Sequence, residues 1–102
     1  MRTADKELYG GLIRLHILHH AAREPIFGLS IIQELARHGY TLSAGTLYPL
    51  LQNLERTGYL RSSQEREQGR LRRVYRATPL GRNALKVGKR RVQELFGELF
   101  ED

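Results

Sequence analysis

Between Tyr40 and Leu60 the chain reads Y-T-L-S-A-G-T-L-Y-P-L-L-Q-N-L-E-R-T-G-Y-L, a stretch with a marked start, a marked stop and one apolar stripe. Leu47, Leu50, Leu51 and Leu54 recur at the spacing that puts side chains on one face of a helix. Ser43 is placed to cap its start, with the hydroxyl accepting the Thr46 N–H. Gly58 is placed to end it, because only glycine enters the left-handed conformation past a helix C-terminus without a Cβ clash. The other face carries Ala44, Gly45, Thr46, Tyr48, Pro49, Gln52, Asn53 and Arg56. An ordinary solvated face carries Lys and Glu at paired positions. Thr, Tyr, Gln and Asn with a single charge point instead to something the helix has to touch. Pro49, inside the helix, removes the N–H that would bond the Gly45 carbonyl and predicts a kink or a tightened first turn. That arrangement costs stability, and contact with a ligand accounts for it better than folding does.

The rest of the chain supplies partners for this helix. From about Asp5 to Ala22, Leu8, Leu12, Ile13, Leu15, Ile17 and Leu18 predict one helix with a broad apolar face, with Arg14, His16, His20 and Arg23 on its far side. Pro25 ends it, since the residue before proline disfavours the helical region. A second helix is predicted from Gly28 to Arg37 or His38, with Leu29, Ile32, Leu35 and Ala36 inward, closed by Gly39. After Gly58 the period changes to two. Tyr59 to Gln64 and Leu71 to Ala77 read as strands, with Gln68-Gly69 as the turn between them. Thr78-Pro79 opens a last helix to about Phe100, with an N-cap threonine and proline at the first helical position. The order predicts a mainly α chain with a small β-hairpin: a winged helix-turn-helix over residues 1–78 and a dimerisation helix over 79–102, joined in one unit. In that architecture the third helix enters the major groove and the hairpin touches the flanking backbone.

Charge agrees with a polyanionic partner. The chain of 102 residues carries +6 overall, and Arg61 to Arg91 holds eleven Lys/Arg against Glu65 and Glu67, a net of +9. The last nine residues hold Glu94, Glu98, Glu101 and Asp102. With no cysteine, disulfides and thiolate zinc sites are excluded, and a reducing cytoplasm is expected. No apolar run is long enough for a membrane span, and the first residues, Met-Arg-Thr-Ala-Asp-Lys-Glu, lack a signal-peptide core. No membrane partner is expected.

The motif S-A-G-T-L-Y-P-L-L-Q-N-L-E-R-T-G-Y-L resembles the signature of PadR-like transcriptional regulators, S-P-G-T-L-Y-P-x-L-x-x-L-E-x-x-G-x-L. The likeness continues through R-R-V-Y-R-A-T-P-L-G, where Tyr75, Thr78 and Gly81 fall on the family's Y-x-x-T-x-x-G, and it covers roughly residues 8 to 85. Ala44 stands where proline is common, Phe27-Gly28-Leu29-Ser30 stands where many members have H-G-Y-E, and there is no tryptophan to line a ligand pocket. The resemblance implies a winged-helix repressor, dimeric through its last helix, on a pseudo-palindromic operator. The short final helix resembles the compact members without a separate C-terminal domain.

By position, Thr46, Tyr48, Pro49 and Asn53 are the predicted groove readers. Asn bonds adenine bidentately, Thr and Pro meet the thymine methyl, and Tyr reaches a phosphate or base edge. Ser43 and the open amides beside it are expected to hold a phosphate, and Arg70, Arg72 and Arg73 to contact the DNA backbone. The predicted dimer seam is Leu85, Gly88, Val92, Leu95 and Leu99, flanked by Phe96 and Phe100. A small apolar or aromatic effector is expected between the two copies. His16 and His20 are spaced to share an ion, but no cysteine and no matched carboxylate completes a ligand set for them or for His19, so they read as structural and no metal or other cofactor is expected. No nucleophile-base order, phosphate loop or apolar carboxylate pair suggests an enzyme. The competing reading is a winged-helix module using its basic patch on an acidic protein; the absence of Leu, Phe or Trp anchors on the central helix's polar face opposes it.

Overall fold

In the computed structural model, which describes residues 1–101, the chain runs α1 (Thr3–Leu8), α2 (Gly10–Arg23), α3 (Gly28–Arg37), α4 (Ala44–Arg56), β1 (Leu60–Glu67), β2 (Arg70–Ala77) and α5 (Pro79–Leu99). Asp102, counted above in the acidic end, lies outside the described residues. The structure is mostly helical with one two-stranded antiparallel sheet, the arrangement of a winged helix-turn-helix. α2 is its pillar. Ile13, Ile17, Leu18 and Ala21 are buried along it, and Ile31 and Leu35 of α3, Leu47, Leu51 and Leu54 of α4, and Leu85 of α5 complete the core with Leu42, Leu60 and Tyr75.

Three boundaries follow from local chemistry. Gly58 has φ +90°, the left-handed conformation expected past α4. Gln68 and Gly69 both take positive φ, 51° and 78°, as a two-residue hairpin turn requires. The resulting register pairs Leu60 with Ala77 and Glu67 with Arg70, so β1 is longer than the predicted run to Gln64. At the start of α5 the Thr78 hydroxyl accepts the Gly81 N–H at 3.0 Å and donates to the Gly58 carbonyl, which ties the end of α4 to the start of α5.

Two sequence expectations about the helices are corrected. The first helix is two, broken at Tyr9 (φ −101°, ψ 11°) before Gly10-Gly11, a pair with poor helix propensity. Leu8 and Leu12 are exposed rather than buried with Ile13, Ile17 and Leu18. In α3 the inward stripe is Gly28, Ile31 and Leu35, which leaves Leu29 59% exposed and Ala36 outside. The hairpin is also tied to the helices: Ile26 exchanges both backbone hydrogen bonds with Tyr75, at 3.0 and 2.8 Å, adding a third short segment that holds the wing to the α2–α3 loop. Pro49, where a distortion is predicted, lies inside an α4 that runs unbroken from Ala44 to Arg56.

Glycines mark close approaches. A Cβ on Gly81 would collide with the Tyr59 carbonyl, whereas one on Gly97 would meet nothing. Gly81→Ala is therefore expected to lose about 1–3 kcal/mol of stability, and Gly97→Ala to gain up to about 1 kcal/mol from helix propensity. Chemical denaturation of the two variants checks this.

Candidate nucleic-acid interface

Burial of Leu47, Leu51 and Leu54 turns the opposite face of α4 to solvent. Its exposed stripe is Gly45, Tyr48, Pro49, Gln52 and Arg56, whereas Thr46 and Asn53 sit half-buried on the flank with Leu50. Gln52 and Arg56, left out of the predicted readers, are thus more open than two residues that were included. Carrying the three- and four-residue step on from Gly45 and Pro49 reaches both. Tyr48 is held rather than free: a Cβ on Gly28 would run into its ring, so the phenol lies across the start of α3.

The start of α4 differs from the expected cap. The Ser43 hydroxyl donates to Thr46 Oγ1 at 3.4 Å instead of accepting a backbone N–H, and the Thr46 N–H goes to the Ser43 carbonyl at 3.1 Å. No side chain caps this helix end, so its positive pole is directed at whatever lies in front of it. Lys6 of α1 adds a charge there, its Nζ donating to Thr46 Oγ1 at 3.4 Å across 40 residues of sequence.

On the wing, Arg70 and Arg73 are exposed, Arg73 donating to Ser62 Oγ at 3.0 Å. Ser62 in turn donates through its N–H and hydroxyl to Glu55 of α4, at 3.2 and 2.6 Å, so wing and α4 are coupled. Arg72 is tied into the wing by two contacts. Its guanidinium lies 4.6 Å from the centroid of the Phe27 ring and 3.8 Å from Glu67, which makes it an anchor of the wing. Arg76 is likewise paired, with Glu65 at 2.8 Å. Behind them burial pushes the Tyr75 phenol pKa up, and Glu55 adds to the shift.

The predicted dimer residues divide. Leu85 is spent on the chain's own core, and Gly88 abuts Leu15 of α2, where a Cβ would clash. Val92, Leu95, Phe96, Leu99 and Phe100 are uncovered, from 41% exposed at Val92 to 70% at Phe100, with the two Phe rings 4.8 Å apart. Elsewhere, the expectation that the histidines lack a matched carboxylate is overturned. Glu34 of α3 meets His20, and His38 joins them. Burial, then His38, His20 and His19, lowers the His16 pKa, while the Arg37 hydrogen bond leads in lowering that of Glu34.

A wing fastened beside a helix whose exposed face is polar, aromatic and basic defines a winged helix-turn-helix DNA-binding protein. Residues 17–87 match the transcriptional regulator PadR-like family. The transcriptional regulator Rv3488 of Mycobacterium tuberculosis is 52% identical over 94 residues, 92% of this chain and 88% of that protein. Among solved structures, a PadR family transcriptional regulator from Eggerthella lenta is similar at 32% identity and TM-score 0.79, over 97% of this chain and 90% of that one. The protein smu.1704 of Streptococcus mutans is similar at 29% identity and TM-score 0.80, over 85% and 81% of the two chains. The chain belongs to the PadR-like family of transcriptional regulators and is a DNA-binding regulator. Among the described residues no helix is long and apolar enough to cross a membrane.

The contrast between the two arginines is testable. Arg72→Ala should lower stability by about 0.5–2 kcal/mol, the worth of a partly desolvated cation–π contact, whereas Arg70→Ala should leave unfolding unchanged. Thermal denaturation of both variants gives the comparison.

Proposed function

We propose that the protein is a homodimeric repressor of a pseudo-palindromic operator, residues 1–78 binding DNA and residues 79–102 joining two copies. The observation that carries this reading is the uncovered apolar stripe Val92, Leu95, Phe96, Leu99 and Phe100, on turns of α5 that no core of the same chain reaches. Such a stripe on a lone helix is unfavourable in water, and a second copy of the same stripe covers it. Two copies joined this way offer their α4 helices to half-sites about one helical turn, or a multiple, apart.

Beside the stripe, α2 and α5 enclose an open groove of about 290 Å³ lined by Leu12, Leu15, His16, His19, Leu85, Lys89 and Val92. Its apolar walls suit a small apolar or aromatic effector, and a ligand there that favours one tilt of α5 over another shifts the spacing of the reading helices. Base reading is assigned to Tyr48, Pro49 and Gln52 with Asn53 and Thr46 at the edge. Phosphate contact is assigned to Ser43, Arg70 and Arg73, joined by Lys6 and Arg56.

Two measurements check the reading. Leu95→Asp with Leu99→Asp places charge in the seam, so the double variant should sediment as a monomer and lose operator binding; a dimer that binds normally rejects the seam. In binding titrations log K should fall steeply with log salt, as for roughly 8–10 phosphates contacted per dimer. Gln52→Ala should cost about 1–3 kcal/mol on the operator and little on random DNA, whereas Arg73→Ala should weaken both alike and flatten the salt slope.

A further inference from the structure

Two helices each carry a pair of ligand-type side chains four residues apart, and the fold sets the pairs against each other. His16 and His20 occupy successive turns of α2, while Glu34 lies on α3 and His38 at its C-cap. One ring nitrogen from each of His16, His20 and His38 falls within 4.8 Å of the others. Glu34 Oε1 is 3.6 Å from His20 Nε2 and 3.3 Å from His38 Nε2. A tetrahedral zinc site with metal–ligand bonds near 2.0–2.1 Å places neighbouring ligand atoms about 3.3 Å apart, so the carboxylate already stands at nearly that spacing. Arg37 holds the other oxygen, Glu34 Oε2, at 3.0 Å. That contact fixes the carboxylate with Oε1 toward the histidines, as outer hydrogen bonds orient metal ligands.

An ion network of Glu34 with His20, His38 and Arg37 accounts for part of this cluster and leaves His16 unexplained. The His16 ring is stacked on His38, with centroids 4.8 Å apart and planes 28° from parallel, and meets the edge of Tyr40 at 5.3 Å. Three imidazoles gathered together, two of them on one carboxylate, repel one another when protonated. A shared cation turns the same crowding into coordination.

We propose that His16, His20, His38 and Glu34 bind one divalent transition metal ion of the zinc class, which pins α2 to α3. Three imidazoles and one carboxylate suit such an ion, whereas magnesium and calcium require mainly oxygen ligands. The pin joins the pillar of the core to the helix that precedes α4 and carries Gly28 under Tyr48. The His16 side chain also borders the α2–α5 groove. Metal binding is a property of the free chain and stands whether or not the repressor reading does.

The test is calorimetric titration of the chelator-stripped full chain with Zn²⁺, with Mg²⁺ as the control ion and melting temperature as a second readout. Expected are one Zn²⁺ per chain, a melting temperature raised by Zn²⁺ alone, and the intense visible band of four-coordinate cobalt when Co²⁺ is substituted. His38→Ala, exposed enough to fold, and Glu34→Gln should each weaken binding by at least about tenfold, with far-ultraviolet dichroism unchanged. His19→Ala, next to the cluster but outside it, should bind like the parent. Absent or non-saturating Zn²⁺ binding, binding insensitive to His38→Ala, or an equal loss in His19→Ala overturns the site.

Discussion

Burial of Leu47, Leu51 and Leu54 in the core beside α3 sets the rotation of α4 about its own axis, and the rest of the molecule depends on that rotation. Each of the three is an aliphatic side chain almost sealed from water, worth on the order of 1.5–3 kcal/mol apiece. A turn of about 100°, one residue's step on a helix, would expose the stripe and bury Tyr48, Gln52 or Arg56 without partners. The outward face is therefore chosen by the inward one. Gln52 and Arg56 on that outward face supply no core.

The elements around α4 are fastened to it by few but specific contacts. Glu55, Ser62 and Arg73 form a hydrogen-bonded chain from helix to wing. The Ile26–Tyr75 backbone pair and the Arg72–Phe27 stack hold the wing to the α2–α3 loop. Thr78 links the C-terminus of α4 to the N-terminus of α5. Wing, α4 and α5 are thus joined to one another by direct contacts. α5 itself has two halves with different chemistry: Gly81, Leu85 and Gly88 close on their own chain, and Val92 to Phe100 face outward.

Features with a local cause were legible in the sequence. Gly58, Gln68-Gly69 and Thr78-Pro79 act through the dihedral angles and hydrogen bonds of their own neighbours, and the α4 stripe shows its period within thirteen residues. Gly10-Gly11 was also a local signal, yet the leucines on both sides suggested one continuous helix. The phase of α3 was missed for another reason. Leu29, Ile31, Ile32, Leu35 and Ala36 offer more than one apolar stripe, and only packing against α2 and α4 selects Ile31 and Leu35. Lys6 with Thr46, Phe27 with Arg72, and Glu34 and His38 with His16 and His20 join residues far apart in the chain. No spacing rule within one element reveals such pairs. The candidate interface was thus legible as a helix and a wing, but the pairing of Arg72 and Arg76 and the half-burial of Asn53 required the folded chain.

The central claim is that α4 presents Gly45, Pro49, Gln52 and Arg56 to DNA with Asn53 at the margin. Because the chain has no native cysteine, single substitutions Gly45→Cys, Gln52→Cys, Asn53→Cys and Arg56→Cys give one thiol each, whose maleimide reaction rate reports its exposure. The account predicts fast reaction at 45, 52 and 56 in the free protein, slower reaction at 53, and protection by operator DNA that is strongest at 45, 52 and 56. Protection centred on 53, or uniform rates with and without DNA, would contradict it.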